Sequence, residues 1–409
     1  MVKKPLYIAL LCGVVISSSC NFFFGKKEND TTNEIFEQGK IDPELVPQNV
    51  GYVPVLPFFS GFVNPVDVYV GYDEMVYVVD DMGVHVLDQK GTRYRTIAIP
   101  GATDVVMDRR LHLYVAGRIT QNIGGQDYDL AAVYHIINPS GAGSPVFTDT
   151  LIHPAADLSR QQVAFRGADD VAVKFSGLTV LEDNTLYVSR TGPKNDFNTA
   201  ARPDNTILIF NANGANIGYT NGLNPQTSSL RSCLGVSAIA GFAAPPQRLF
   251  GMDKSRDFIL CQADTNPSVE FRVLWIKETF DPDLGSRSYG ENTALLNFDT
   301  SKSNRFLYQS FRFGNPADVY IATDATGYIF VADSKKDSIY QFTRAGIEGV
   351  NPPANFPTRK QIIASFGGKG AGPFQFNQPS GISYFKEIVY VADKGNGRIC
   401  RYKLSTDIE

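Results

Sequence analysis

FGGKGAGPFQFNQPSGISYFKEIVYVADKGNGRICRY, residues 366–402, is the stretch whose reading decides the fold. It opens with a glycine-rich turn (Gly367–Gly372) and passes through Phe376 and Pro379 into the run ISYF. A second run, IVYVAD, follows at Ile388–Asp393, then a Gly395-Asn396-Gly397 turn and a third run, RICRYKL. Glycine and asparagine supply the backbone conformations that tight reversals need. IVYVA is apolar without alternation, so both of its faces are expected to be covered. GGKGAG superficially resembles a phosphate loop, but no helical pattern follows it, and the turn reading holds.

The same unit recurs along the chain. PVDVYVGYDEMVYVVDD starts at Pro65, ATDVVMDRRLHLYVAGR at Ala102 and FSGLTVLEDNTLYVSRT at Phe175. A degenerate copy starts at Cys233, PADVYIATDATGYIFVADS at Pro316, and PSGISYFKEIVYVADK at Pro379. In four copies a third strand is plain: GVHVLDQKG, NTILIFNANG, SIYQFTRAG and RICRYKLS. The starts average about 63 residues apart. A repeat of this length with three or four short strands per unit predicts an all-β chain, a six-bladed β-propeller. No long amphipathic helical stripe is present, and turn residues abound, with 36 Gly and 23 Pro.

The last two units resemble the NHL-repeat family of six-bladed propellers. The matching residues are Gly367, Gly370, Phe376, Pro379, Gly381, Tyr390, Val391, Ala392, Asp393, Asn396, Arg398 and Ile399. In Pro316–Phe342, Ser338 replaces the family's Arg and Asp318 its Gly. The match covers about a quarter of the chain in detail and the remainder in outline. The last unit supplies three strands, while GYVPVLPFF (Gly51–Phe59) precedes the first unit without a partner. Placed as the outer strand of the last blade, this N-terminal segment closes the ring and covers an edge prone to aggregation.

The N-terminus reads as an address. Lys3 and Lys4 precede an apolar run of 11 residues, Leu6–Ile16. About 20 would be needed to span a bilayer, so this is the core of a signal peptide. Ser17, Ser18 and Ser19 then lead to Cys20. The segment resembles a bacterial lipoprotein signal, although Ser17 stands where that family has an aliphatic residue. The resemblance implies cleavage before Cys20 and acylation of its thiol by chains such as palmitate; two or three chains anchor stably where one is marginal. The expected organisation is a signal peptide (1–19), lipidated Cys20 with a flexible tether (20–48), and the propeller (49–409). An ordinary secretory signal is the plainer alternative. Asn21 rather than Asp follows Cys20, so no inner-membrane retention signal is read. The outer membrane of a bacterial envelope is the expected residence.

Composition narrows the function. The 409 residues are 43% hydrophobic and 20% charged, which excludes general disorder. A net charge of −4 offers no basic footprint for nucleic acid.

Aligned first-strand starts place Asp67, Asp104, Gly177, Gly235, Asp318 and Gly381 at one position per blade, facing the central channel. Asp67, Asp104 and Asp318 are therefore candidate ligands of a channel cation such as Ca²⁺ or Mg²⁺. Each would equally serve as a cap for its own turn. The repeated Asn64-Pro65-Val66-Asp67 and Asn315-Pro316-Ala317-Asp318 favour that structural role. Asp80, Asp333 and Asp393 share the strand-end position and are expected to bind turn backbone.

His85 and His135 fall in third strands, and His112 opens a second strand, so no histidine set converges on the channel for zinc. No Gly-x-Ser-x-Gly elbow is present. Cys233 precedes the first strand of the fourth unit and Cys261 lies in its second; paired as a hairpin, these strands make the two cysteines a candidate disulfide in an exported chain. Three stretches exceed ordinary blade loops: 118–130, 154–174 and 279–312. Within them Tyr128, Phe280, Arg287 and Tyr289 have the aromatic-plus-arginine character of partner contacts. Trp275 is the only tryptophan and sits in a strand-like run, so a glycan platform is a weak reading.

These features favour a membrane-anchored, non-enzymatic scaffold. It would bind an envelope protein or protein complex through one ring face and need no cofactor. The rival is a metal-dependent propeller hydrolase or lyase with a carboxylate-lined channel.

Overall fold

The computed structural model describes residues 50–153, 168–192, 206–220, 223, 230–233, 235–247, 255–264, 266–296, 299–301, 304–352 and 359–408. The signal segment, Cys20 and the tether lie outside the described residues, as does most of 154–174.

The chain begins with β1 (Tyr52–Pro54) and β2 (Phe59–Ser60). Blade 1 is built from β3 (Asp67–Val70), β4 (Val76–Asp80), β5 (Gly83–Leu87) and β6 (Arg93–Ile97). Blade 2 takes β7 (Asp104–Met107), β8 (Leu113–Ile123), β9 (Gln126–Ile137) and β10 (Val146–Ile152). Blade 3 follows with β11 (Lys174–Val180), β12 (Leu186–Thr191), β13 (Ile207–Phe210) and β14 (Asn216–Tyr219). Blade 4 comprises β15 (Val236–Gly241), β16 (Phe258–Gln262), β17 (Val273–Asp281) and β18 (Ser286–Glu291). Blade 5 comprises β19 (Pro316–Ile321), β20 (Ile329–Asp333), β21 (Ser338–Phe342) and β22 (Phe366–Gly367). The last three strands are β23 (Pro379–Phe385), β24 (Ile388–Asp393) and β25 (Arg398–Leu404).

Each sheet is an antiparallel meander, and the first strands neighbour one another in the cycle β3, β7, β11, β15, β19, β23 and back to β3. This is a six-bladed β-propeller. Its closure is as the unpaired N-terminal segment implied. β1 adds to β25 antiparallel, with Tyr52 opposite Leu404 and Pro54 opposite Tyr402. After a bend, β2 pairs with the start of the same strand, Phe59 opposite Ile399. Pro54 is tolerated because the closing strand is an edge.

Second strands are buried on both faces. All five residues of β4 (VYVVD) and of β20 (IFVAD) are buried. Neighbouring blades share cores: Tyr77, Val79 and Val86 of blade 1 pack with Val105, Met107 and Val115 of blade 2. Residue pairs across first and second strands define the true repeat register. Asp67 faces Val79, Asp104 faces Ala116, Gly177 faces Ser189, Asp318 faces Ala332 and Gly381 faces Ala392. In blade 4 the equivalent residue is Ala238, opposite Cys261. The sequence alignment had placed Gly235 there. That unit has neither Gly nor Asp at the position, so its degenerate pattern gave no marker for the alignment, although its bulge between Val236 and Ala238 matches those of blades 3, 5 and 6.

Residues 118–130 are a second correction. They are not a loop between strands but a continuation of them. β8 and β9 run on as a two-stranded ribbon from Arg118 opposite Ala131 to Ile123 opposite Gln126. The Gly124-Gly125 reversal has φ of 63° and 87°, the doubly positive turn that suits hairpin twist.

Candidate functional site

The first strand of each blade starts on one face of the ring, and three of those starts bring carboxyl groups into the channel. Asp67, Asp104 and Asp318 line a central cavity of about 60 Å³ together with Tyr69, Tyr72 and Tyr320. Each aspartate also joins its blade to the next. Asp67 accepts the N–H of its neighbour Val68 at 2.7 Å and that of Val105 in blade 2 at 3.0 Å. Asp104 accepts the N–H of Leu178 in blade 3 at 2.7 Å. Asp318 accepts those of Val319 at 2.7 Å and of Ile382 in blade 6 at 2.6 Å. Hydroxyls one residue earlier do related work: Thr103 donates to the Phe175 carbonyl, Ser237 to Pro316 and Ser380 to Pro65.

Burial sets the protonation of this group. Asp67 is pushed up to about 6 by desolvation, partly offset by hydrogen bonds from Asp104 and from the backbone. Asp104 is raised well above the ordinary carboxyl value, first by desolvation and then by the charges of Asp67 and Asp318. Asp318 is raised by desolvation and by Asp67. A side-chain hydrogen bond between Asp104 and Asp67 raises Asp104 and lowers Asp67, the directions expected when Asp104 is the donor. Among the described residues, no group of three or more His, Cys, Asp or Glu side chains has the arrangement of a metal site. Backbone donors already occupy both oxygens of Asp67 and of Asp318.

The far mouth of the channel is crossed by side chains. Gln247 Nε2 donates to the Tyr72 carbonyl at 3.2 Å, and Arg109 to the Ala244 carbonyl at 3.3 Å. The histidines are elsewhere. His112 and His135 meet at 2.9 Å beside the β7–β8 turn, at the end of the first strand opposite to Asp104. The Tyr114 ring stacks on His135 at 4.5 Å. Desolvation lowers both imidazoles below the usual value. This pair joins the residue that precedes β8 to one within β9, and nothing in the sequence alone brought them together. His85 Nε2 lies 2.8 Å from Asp80 Oδ1.

The strand-end aspartates bind backbone as expected. Asp80 accepts the N–H groups of Val63 and Met82, and Asp393 that of Asn377. Asp333 accepts those of Gly314, Asn315, Lys335 and Lys336.

The proposed partner contacts separate. Phe280 is 48% exposed, with the Arg287 guanidinium 4.7 Å over its ring on the β17–β18 hairpin. Tyr289 of the same hairpin is buried, its hydroxyl 2.8 Å from that of Tyr187, so it is a core residue and not a contact. It lies nearer the body of the blade than Arg287, opposite Glu278 rather than Phe280 on the ladder, a position that residue type alone did not reveal. Tyr128 is partly buried on the β8–β9 ribbon, within a small cluster around Leu130 and Ala132. The candidate disulfide is absent: Cys233 and Cys261 are both buried free thiols. Cys261 faces Ala238 on the ladder, whereas Cys233 lies before β15 with φ of 62°, off the hairpin.

The feature that sequence reading missed is a polar groove of about 690 Å³ on the strand-start face, spanning blades 4, 5 and 6. It is lined by Arg272, Lys335, Lys394, Asp264, Gln378 and the Asn315–Ser334 pair, among others. Ala317 and Ser380, which also line it, directly precede Asp318 and Gly381. The groove therefore adjoins the channel entrance.

Comparison with solved structures returns propellers. An aldose sugar dehydrogenase from Streptomyces coelicolor, in its PQQ-bound form, is 10% identical over 88% of this chain and 99% of its own, at a TM-score of 0.48. A gluconolactonase from Xanthomonas campestris is 10% identical over 88% of this chain and 91% of its own, at 0.46. A luciferin-regenerating enzyme is 10% identical over 87% of this chain and 95% of its own, at 0.50. The likeness is one of fold. No family model matches the sequence, and the search of curated proteins finds no relative.

Proposed function

We propose that this chain is an exported, lipid-anchored propeller that holds a protein partner of the bacterial envelope on its strand-start face without catalysing a reaction. The observation that carries the reading is the use made of the channel carboxylates. Both oxygens of Asp67 and of Asp318 accept backbone N–H groups that tie one blade to the next. Groups spent in this way serve the ring, and the open polar groove beside them is left to meet a partner. The anchor is the acylated Cys20, and the outer membrane is its proposed site.

One observation favours the rival, a metal-dependent hydrolase or lyase. Three carboxyl groups with raised pKa values meet at one channel mouth, and such clusters are frequent at active sites. The structural neighbours are themselves named as enzymes, but identities near 10% support the shared fold and nothing finer.

Crosslinking in the native membrane followed by purification, with wild type beside Cys20→Ala, separates the two. A stoichiometric protein partner that is lost with the anchor is the expected result. Absence of a partner, together with a bound divalent ion that disappears in Asp67→Ala, would overturn the scaffold and install the metalloenzyme.

A further inference from the structure

We infer that the groove across blades 4, 5 and 6 takes an acidic peptide segment of the partner protein, an assignment that rests on the scaffold reading above. The argument starts from how the repeat distributes charge. Every blade turns at the end of its second strand on this face, and in blades 1, 5 and 6 a buried aspartate organises that turn. Blade 1 follows Asp80 with a second acid, Asp81, which is held by the Asn64 amide at 2.7 Å. Blades 5 and 6 instead place Lys335 and Lys394 within two residues of Asp333 and Asp393. Both lysines line the groove, with Arg272 on the blade 4 side. Asp264 is the one acid among the described lining residues.

On a chain whose net charge is −4, this is a local reversal of sign. The two ammonium groups are also available. Neither Lys335 nor Lys394 forms an ion pair among the described residues, whereas Lys386 and Lys403 pair with Glu74 and Glu387. Arg272 differs, because its guanidinium is turned onto the carbonyls of Asp264 and Asn266. The turns beneath the lysines are held rigidly. Asp333 binds four backbone N–H groups, and Asp393 binds Asn377 N–H, the Asn396 amide and Arg398 Nε. Two cations on preorganised turns, in a groove of about 690 Å³, match spaced carboxylates on an extended chain.

A fluorescently labelled poly-glutamate peptide, titrated into the full-length protein by anisotropy, tests the assignment. Saturable binding that weakens with added salt is expected. It should fall roughly tenfold or more in Lys335→Glu/Lys394→Glu and stay unchanged in Lys403→Glu, whose lysine lies at the other end of β25. Lys335→Gln/Lys394→Gln gives the same reading should the reversed variant fail to fold. Lack of saturable binding to wild type overturns the proposal. Equal loss in Lys403→Glu does so as well, as does preferential binding of polygalacturonate, which would make the ligand an acidic glycan. Should the peptide fail while the crosslinked partner is still recovered from membranes, the groove assignment falls and the scaffold reading stands.

Discussion

Retained protons govern the channel mouth, where Asp67, Asp104 and Asp318 are all raised. The Asp67 carboxyl sits near 6, where an unfolded aspartate titrates at about 4. A carboxyl raised by folding stabilises the fold fully below its unfolded pKa, and that contribution is lost as pH rises through the folded value. Thermal stability should therefore be highest in mild acid and decline from about pH 4 to 7, by on the order of 2 kcal/mol from Asp67. Asp104 is raised as well and adds to this slope, and Asp104→Asn removes its share. Its amide oxygen keeps the Leu178 N–H, and its NH₂ permanently replaces the shared proton toward Asp67. The expected outcome is a near-native melting temperature with a flatter pH profile; a slope equal to wild type sinks the shared-proton account. Gly381 occupies the equivalent position in blade 6 for a different reason. A Cβ there would stand 2.6 Å from the Asp67 Cα and 2.9 Å from the Val68 nitrogen. Gly381→Ala must push blade 6 away from blade 1, and a loss of about 1–3 kcal/mol is expected in denaturant melts.

Among the elements, the closing strand was legible because its apolar run had no partner and the last unit lacked a fourth strand. Tyr52 shows what the strand contributes. It is 4% exposed and packs with its ring centroid 5.1 Å from Phe366 and 6.4 Å from Phe330, both of blade 5. It therefore ties the closing strand to two blades at once. Tyr52→Ala should cost about 3 kcal/mol, measured as a lower midpoint in chemical denaturation. A cost near zero would show that the Tyr52 ring does not help hold the closing strand against blade 5. Other elements were hidden for identifiable reasons. Polar residues on the β8–β9 ribbon masked strand pairing that the Gly124-Gly125 turn alone could have signalled. The Cys233–Cys261 bridge failed because proximity along a hairpin does not fix ladder register. Lys335 and Lys394 were visible as residues, but their convergence depends on the angular placement of successive blades, which no local pattern encodes.

Across the molecule, the repeat was readable wherever a unit carries the Gly or Asp that marks the start of its first strand, and misaligned in blade 4, where Ala238 takes that place. The same both-sided burial has a thermodynamic consequence. A blade removed from the ring would expose two apolar faces; β4, for example, is buried along its whole length by blades 6, 1 and 2 together. Such a sheet has no stable form alone, and the hydrogen bonds of Asp67, Asp104 and Asp318 couple each of three blades to its successor. Unfolding of the ring should accordingly be all-or-none, although chains this long often show intermediates. Calorimetry tests this directly. One transition is expected, with calorimetric and van't Hoff enthalpies in agreement, and Tyr52→Ala and Gly381→Ala should each lower that same transition. Two resolved transitions, one of them insensitive to either substitution, would mean that part of the ring folds without closure, and that closure by β1 serves function rather than stability.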